Sequence, residues 1–313
     1  MKLPRIFQRH HDENQIGAYT LIERLGQGGM GEVWSAKHRE LLRPAAIKIL
    51  SAETAGESRD TLKKRFDREV HATAQLTSPH TIAIFDFGKT ADNGLYYAME
   101  LLQGLDLERL VARFGPQPAD RVGYLLQQVC ESLEEAHHRG LVHRDIKPAN
   151  LFAASLGMRL DFVKVLDFGL VRDMAHDLNL TADHTVSGTP AYMAPESAKA
   201  HQFDARTDLY SVGCVAYWLL TGRTVFQAET NAAMIAAHMY EDVIPPSRLT
   251  ELTISPAIEN IVLQLLAKDP ANRPQSAVEL REMLEARPQT WTQDRAEAWW
   301  RANVPDILAK SRG

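Results

Sequence analysis

The spacing of apolar positions changes near residue 104, and the change divides the chain. Residues 19 to 49 and 81 to 101 carry short apolar runs broken by turn residues, among them Thr81-Ile82-Ala83-Ile84-Phe85 and Tyr96-Tyr97-Ala98-Met99. Such runs, with β-branched and aromatic residues, predict strands. Between them residues 58 to 76, rich in Lys, Arg, Glu and Ala, predict one long helix. After Gly104 the period becomes helical. Val122, Leu125, Leu126, Val129, Leu133 and Ala136 form one stripe, and Gly140 stands where a C-terminal cap would. Leu209, Val212, Val215, Trp218 and Leu219 form a second stripe, closed by Gly222. The pattern predicts an α+β chain of two unequal lobes, a small antiparallel-β lobe with one helix and a larger, mainly helical lobe. Asp294 to Arg301 reads as a further short amphipathic helix whose tryptophans pack on the larger lobe.

Composition narrows the picture. The 313 residues are 45% hydrophobic, enough for one large or two small cores. A formal net charge of −5 offers no global basic field, so nucleic acid is not an expected partner. Lys2, Arg5, Arg9, His10 and His11 mark residues 1–17 as a solvated tail. Cys130 and Cys214 lie in helical apolar patterns and read as small core residues, not as a disulfide or metal ligands. No apolar run reaches the ~18–20 residues that cross a bilayer. The start, Met1-Lys2-Leu3-Pro4-Arg5, lacks the apolar segment of a signal peptide. The expectation is a cytoplasmic chain without a membrane span.

The chemistry concentrates in His143-Arg144-Asp145-Ile146-Lys147-Pro148-Ala149-Asn150. A carboxylate, an ammonium and an amide within six residues suit phosphoryl transfer to a hydroxyl. Asp145 can accept the hydroxyl proton, Lys147 can neutralise the travelling phosphoryl group, and Asn150 can hold a metal ion. Upstream, Leu25-Gly26-Gln27-Gly28-Gly29-Met30-Gly31-Glu32-Val33 is a glycine loop whose missing Cβ atoms let backbone N–H groups approach phosphates. Alone it would also fit a dinucleotide-binding turn, but no crossover helix follows it, and Ala46-Ile47-Lys48 does. Asp167-Phe168-Gly169 and Ala194-Pro195-Glu196 complete the order.

With these motifs the chain resembles the eukaryotic-type serine/threonine protein kinases, in particular their bacterial branch, over residues 18–285. The resemblance implies a small lobe at 18–102, a large lobe at 103–285, and a C-terminal helical extension at 286–313 outside it. It implies ATP with Mg2+, or Mn2+ in its place, and protein substrates. Lys48 would meet the α- and β-phosphates. Its carboxylate partner would be Glu69, with Asp67 and Glu53 as competitors. Asp167 and Asn150 would ligate the metal. Val33, Ala46, Met99, Leu102 and Phe152 would wall the adenine, Glu100 and Leu102 would offer it backbone hydrogen bonds, and Asp106 would meet the ribose. Thr189 would orient Asp145, and Arg144 would receive a phosphate placed on Thr181, Thr185 or Ser187 by autophosphorylation. Asp208 would hold the catalytic loop, and Glu196 would pair with Arg273. Lys147 and the Ala194 triplet belong to protein-substrate recognition in that family. Asp161, in an apparent loop insert, reads as surface. A homodimer through the small lobe is a further implication. Intact Lys48, Asp145, Asn150 and Asp167 speak against a pseudokinase scaffold. The Ala194 triplet and Lys147 speak against a small-molecule kinase.

Overall fold

The computed structural model describes residues 14–28, 31–50, 63, 66, 70–90, 94–168, 190–199 and 203–312. The chain forms two compact units, one of residues 1–75 and 82–102 and the other of residues 76–81 and 103–313. Thr81 thus belongs to the second unit, where it bridges Val165.

The first unit is built on a six-stranded antiparallel sheet in the order β1-β2-β3-β4-β6-β5. The strands are β1 (Gln15–Ile16), β2 (Tyr19–Gly28), β3 (Gly31–His38), β4 (Pro44–Leu50), β5 (Ile84–Lys89) and β6 (Leu95–Met99). The two-residue β1 pairs with Thr20 and Tyr19, so the sheet takes in Gln15 and Ile16 from the expected tail. Tyr19, Leu21, Ala36, Ala45, Ile47, Tyr96 and Ala98 pack as one apolar cluster. Residues 63, 66 and 70–74 are helical, in agreement with the polar helix expected there.

The second unit holds a three-stranded sheet, β7 (Gly104–Asp106), β8 (Leu151–Leu156) and β9 (Arg159–Val165), and eight described helices. These are α1 (Leu107–Phe114), α2 (Ala119–His138), α3 (Ala205–Thr221), α4 (Asn231–Tyr240), α5 (Pro256–Leu265), α6 (Ala277–Glu285), α7 (Gln293–Asn303) and α8 (Pro305–Arg312). The stripe on α2 and almost all of α3 are buried in one core. Gly222 closes α3 in the left-handed conformation at φ 69°, its N–H donating to the Trp218 carbonyl. Cys130 and Cys214 are free and buried, and burial pushes both thiols up, which leaves them inert. Among the described residues no helix is long and apolar enough to cross a membrane.

One reading of the sequence is overturned. Asp161 is fully buried, not on the surface. Ala154 pairs with Phe162 and Leu156 with Arg159, so β9 carries one extra residue against β8. Asp161 sits in that bulge at φ 52°, and a bulge re-aims a side chain against strand alternation. Its carboxylate accepts from Arg121 Nε (2.9 Å) and Nη2 (2.6 Å). Trp291 Nε1 (2.9 Å) and Trp300 Nε1 (2.7 Å) complete the set. The C-terminal extension is therefore part of the second unit's core, and its tryptophans pack as the amphipathic pattern implies.

Candidate active site

In the first unit, strand register gathers the expected nucleotide residues on one face. Val33 lies opposite Lys48, Lys48 opposite Tyr97, and Ala46 opposite Met99. Because side chains alternate along a strand, these residues share one face, while Ala45, Ile47, Tyr96 and Ala98 turn to the apolar cluster. Lys48 is only 8% exposed. An ammonium so buried requires anionic company, which phosphates would supply. Its expected partner Glu69 lies outside the described residues, as do Gly29 and Met30.

Two glycines of the loop serve different needs. Gly31, at φ 134°, would drive a Cβ into the Ile49 carbonyl of β4, so the close approach of that strand requires glycine there. A Cβ on Gly26 would meet nothing within 4 Å. The fold does not need that glycine, and the open space beside it suits a phosphate's approach. Leu25 is 41% exposed, and Gln27 accepts from Arg24 at 3.2 Å. Gly28 pairs with Gly31 to close the hairpin. Further on, Glu100 is clipped to Ala83 through both its N–H (3.0 Å) and its carboxylate (2.8 Å). The Glu100 N–H is thereby committed and cannot address a base. Leu102 ends the unit, half-buried.

In the second unit, Asp208 organises the loop. Its carboxylate accepts from the N–H groups of His143 and Arg144, each at 2.8 Å, and meets His137 Nε2 at 2.8 Å. Arg144 is held at φ 64°, a conformation that costs a non-glycine residue on the order of 1–3 kcal/mol and persists only where surroundings over-determine it. His143 Nδ1 accepts from the Asp145 N–H (3.2 Å), which leaves Nε2 as the donor to the Leu166 carbonyl (2.8 Å). The His143 ring also packs on Phe168, centroids 4.6 Å apart. One imidazole thus ties the loop to the strand exit that leads into Asp167.

The reactive groups follow from this frame. Lys147 Nζ and Asn150 Nδ2 both donate to Asp145 Oδ2, at 2.8 and 2.9 Å, and Nδ2 also reaches the Asp145 carbonyl at 2.8 Å. With its nitrogen so committed, Asn150 presents its amide oxygen as the metal-seeking atom. Pro148 starts the 3₁₀ turn that carries Asn150, and Leu166 N–H donates to the Asn150 carbonyl at 2.9 Å. Asp167, next in sequence, is also left-handed at φ 53°. Asp145, Lys147, Asn150 and Asp167 are thus gathered at the joined ends of β8 and β9, and the oxygens of Asn150 and Asp167 are the hard donors that fit Mg2+. Phe152 lies in β8 opposite Asp106. Asp106 caps α1 by accepting from the Arg109 N–H at 2.7 Å and pairs with Arg109 Nε at 3.3 Å, a structural use beside any contact with ribose.

Glu196 and Arg273 form the expected ion pair, with two bonds of 2.7 and 2.8 Å. Thr189, Thr181, Thr185 and Ser187 lie outside the described residues. Sequence reasoning missed His137, whose only signal was a position in the last turn of α2. It also missed the buried pairing of Ser132 with Thr81, 2.7 Å apart.

Comparisons with known proteins agree with this geometry. A family model described as Protein kinase domain matches residues 19–286. Serine/threonine-protein kinase pkn3 of Myxococcus xanthus is 38% identical over 272 residues, which cover 86% of this chain and 49% of that protein. Serine/threonine-protein kinase PknB of Mycobacterium leprae is 38% identical over 266 residues, covering 84% of this chain and 42% of that one. The chain thus spans about half or less of the length of these curated relatives. Among solved structures, Rad53 1-466 in complex with AMP-PNP matches with a TM-score of 0.71 and 26% identity, over 88% of this chain and 68% of that one.

Proposed function

The chain belongs to the protein kinase family, in its bacterial serine/threonine branch, and we propose that it transfers the γ-phosphate of ATP to serine and threonine hydroxyls of proteins. The observation that carries the reading is the Asp145–Lys147–Asn150 cluster, held by hydrogen bonds on a loop fixed to Asp208. Asp145 accepts the proton of the attacking hydroxyl, a contribution of about 10²–10⁴-fold. Lys147, 2.8 Å from that carboxylate, sits beside the hydroxyl's path and offsets charge on the group in transit. Lys48 and the loop from Leu25 to Gly31 hold the phosphates, and the apolar face of Val33, Ala46 and Met99 receives the base. Asn150 and Asp167 would hold Mg2+, which supplies charge neutralisation at the phosphates when bound. Thr181, Thr185 and Ser187 are the proposed autophosphorylation sites, with Arg144 as the receiving cation.

Intact-mass measurement after incubation with Mg-ATP tests this. Mass gains in steps of one phosphate, absent in Asp167→Asn, are expected. Equal masses for both proteins, with and without a generic protein substrate, would reject the reading.

A further inference from the structure

The family match ends at residue 286, and the next residue carries a charge that the fold leaves unused. Among the described residues, the Arg287 guanidinium has no hydrogen-bond acceptor and no ion-pair partner, and its Nε is sealed from solvent. Burial pulls the group down from its ordinary value. A guanidinium nevertheless stays charged, so its partial desolvation is a cost that an anion would offset.

Room is made for this group on α2. A Cβ on Gly123 would collide with Arg287 Nη2 and would lie 3.3 Å from Cζ and 3.4 Å from Nη1. Glycine inside a helix is unfavourable, and α2 carries one where the guanidinium rests. Arg287 also lines a cavity of about 430 Å³ within the second unit. Small-molecule sites have this size, with apolar walls and a few polar groups. Pro118 and Ala119 at the start of α2, Ala257 and Ile258 of α5, and Pro288 supply the apolar wall. Ser255 Oγ accepts from the Ile258 N–H at 3.4 Å, which leaves its hydroxyl proton for an acceptor in the cavity. The acid on the wall, Asp120, is already engaged by Arg295, by Thr290 Oγ1 at 2.8 Å and by the Arg121 N–H at 3.0 Å.

We propose that this cavity binds a small organic carboxylate with an apolar body, the carboxylate on Arg287 and the body against the apolar wall. The planar fork of arginine matches a carboxylate with two parallel bonds. One guanidinium balances one negative charge. A phosphate dianion would bring a second charge into a cavity that Asp120 also lines. The site joins α2, α5 and the root of the C-terminal extension, so its occupant would fasten the three together. None of its residues belongs to the Asp145 cluster, and the inference is independent of the kinase reading.

The test is binding of phenylacetate to the full chain without ATP, followed by ligand-observed NMR and by the melting temperature. Saturable binding and a melting temperature that rises with phenylacetate are expected. Arg287→Met keeps an apolar stem and removes the charge. Gly123→Ala displaces the guanidinium and puts a better helix former into α2, so loss of folding does not explain its effect. Each is expected to raise the Kd for phenylacetate about tenfold or more, the size of a lost charge-assisted bond. The uncharged 2-phenylethanol is expected to bind the unaltered chain weaker by a similar factor. No saturable binding of phenylacetate, or equal Kd values in Arg287→Met, Gly123→Ala and the unaltered chain, would overturn the proposal. Equal binding of 2-phenylethanol would reduce the site to an apolar cavity, and preference for inorganic phosphate would reject the carboxylate assignment.

Discussion

Two buried aspartates in the second unit do opposite work with the same chemistry. Asp208 accepts two backbone N–H groups of the loop that carries Asp145 and one imidazole from the last turn of α2. Asp161 accepts only side chains, a bidentate Arg121 and two indoles, and the groups it holds belong to α2 and to the C-terminal extension. Both are 0% exposed. The first stores conformational strain at Arg144, where chemistry needs it. The second closes a seam. Trp299 stacks on the Arg121 guanidinium at 3.8 Å, and Gln293 brackets Leu160 through its N–H (2.9 Å) and carbonyl (3.1 Å). Burial of a carboxylate thus marks neither catalysis nor stability by itself. What distinguishes the two is whether the carboxylate fixes the backbone of the loop that carries Asp145 or only packed side chains.

The largest test of this contrast removes the seam. Truncation after Pro288 deletes the buried Trp291, Trp300, Val304 and Leu308. At about 1.5–3 kcal/mol for each buried apolar side chain, the loss approaches the whole stability of an ordinary domain. The shortened chain is expected to be largely unfolded by circular dichroism and in thermal melts. A melting temperature within a few degrees of the full chain would show that the extension is an accessory.

Asp161→Ala comes next. It leaves Arg121, itself 0% exposed, without its counter-charge and strips two indoles of their acceptor. Breaking one side of a buried pair costs about 3–5 kcal/mol. Thermal unfolding should shift down on the order of 10 °C, while the turnover of the molecules still folded should hold. Asp208→Asn should do the reverse. Its amide would set an N–H against a backbone N–H, releasing the loop, and a small displacement of the catalytic groups costs about 10²-fold in rate. Stability should change less than in Asp161→Ala. Equal profiles for the two variants, in melting and in rate, would dissolve the distinction.

How far each aspartate was legible from sequence follows from the same difference. Asp208 stands at a fixed place in a motif order, so the resemblance implied its hold on the loop. The strand patterns and the stripes on α2 and α3 were legible because their periods are local. Asp161 was misread because its partners lie 40, 130 and 139 residues away, and because one extra residue in β9 reverses the alternation. A charged residue after Gly157-Met158-Arg159 looks solvated until the bulge is known, since unpaired aspartates are rarely buried. His137 escaped for the same reason, its partner lying 71 residues on.

Smaller substitutions should resolve the seam into an inner and an outer part. Trp300→Phe keeps an aromatic ring, though a smaller one, and removes one N–H from a buried carboxylate that retains three other donors, a hydrogen-bond loss of about 1–3 kcal/mol. Outside the seam, Arg295 pairs with Asp120, beside which Thr290 Oγ1 donates to the same carboxylate at 2.8 Å. This pair is also ionic and also joins the extension to α2, but the Arg295 side chain is 49% exposed. Water already solvates it, and exposed pairs contribute roughly 0–1 kcal/mol. Arg295→Gln is therefore expected to lower the melting temperature by no more than a degree or two in low salt, and less still in 0.5 M NaCl, about where screening shortens to a few ångströms. Trp300→Phe should be indifferent to salt, because its hydrogen bond is sealed from ions. If the two variants shared one salt dependence, the inner pair would be in contact with solvent, and the extension would lie against the second unit as a surface appendage instead of closing its core.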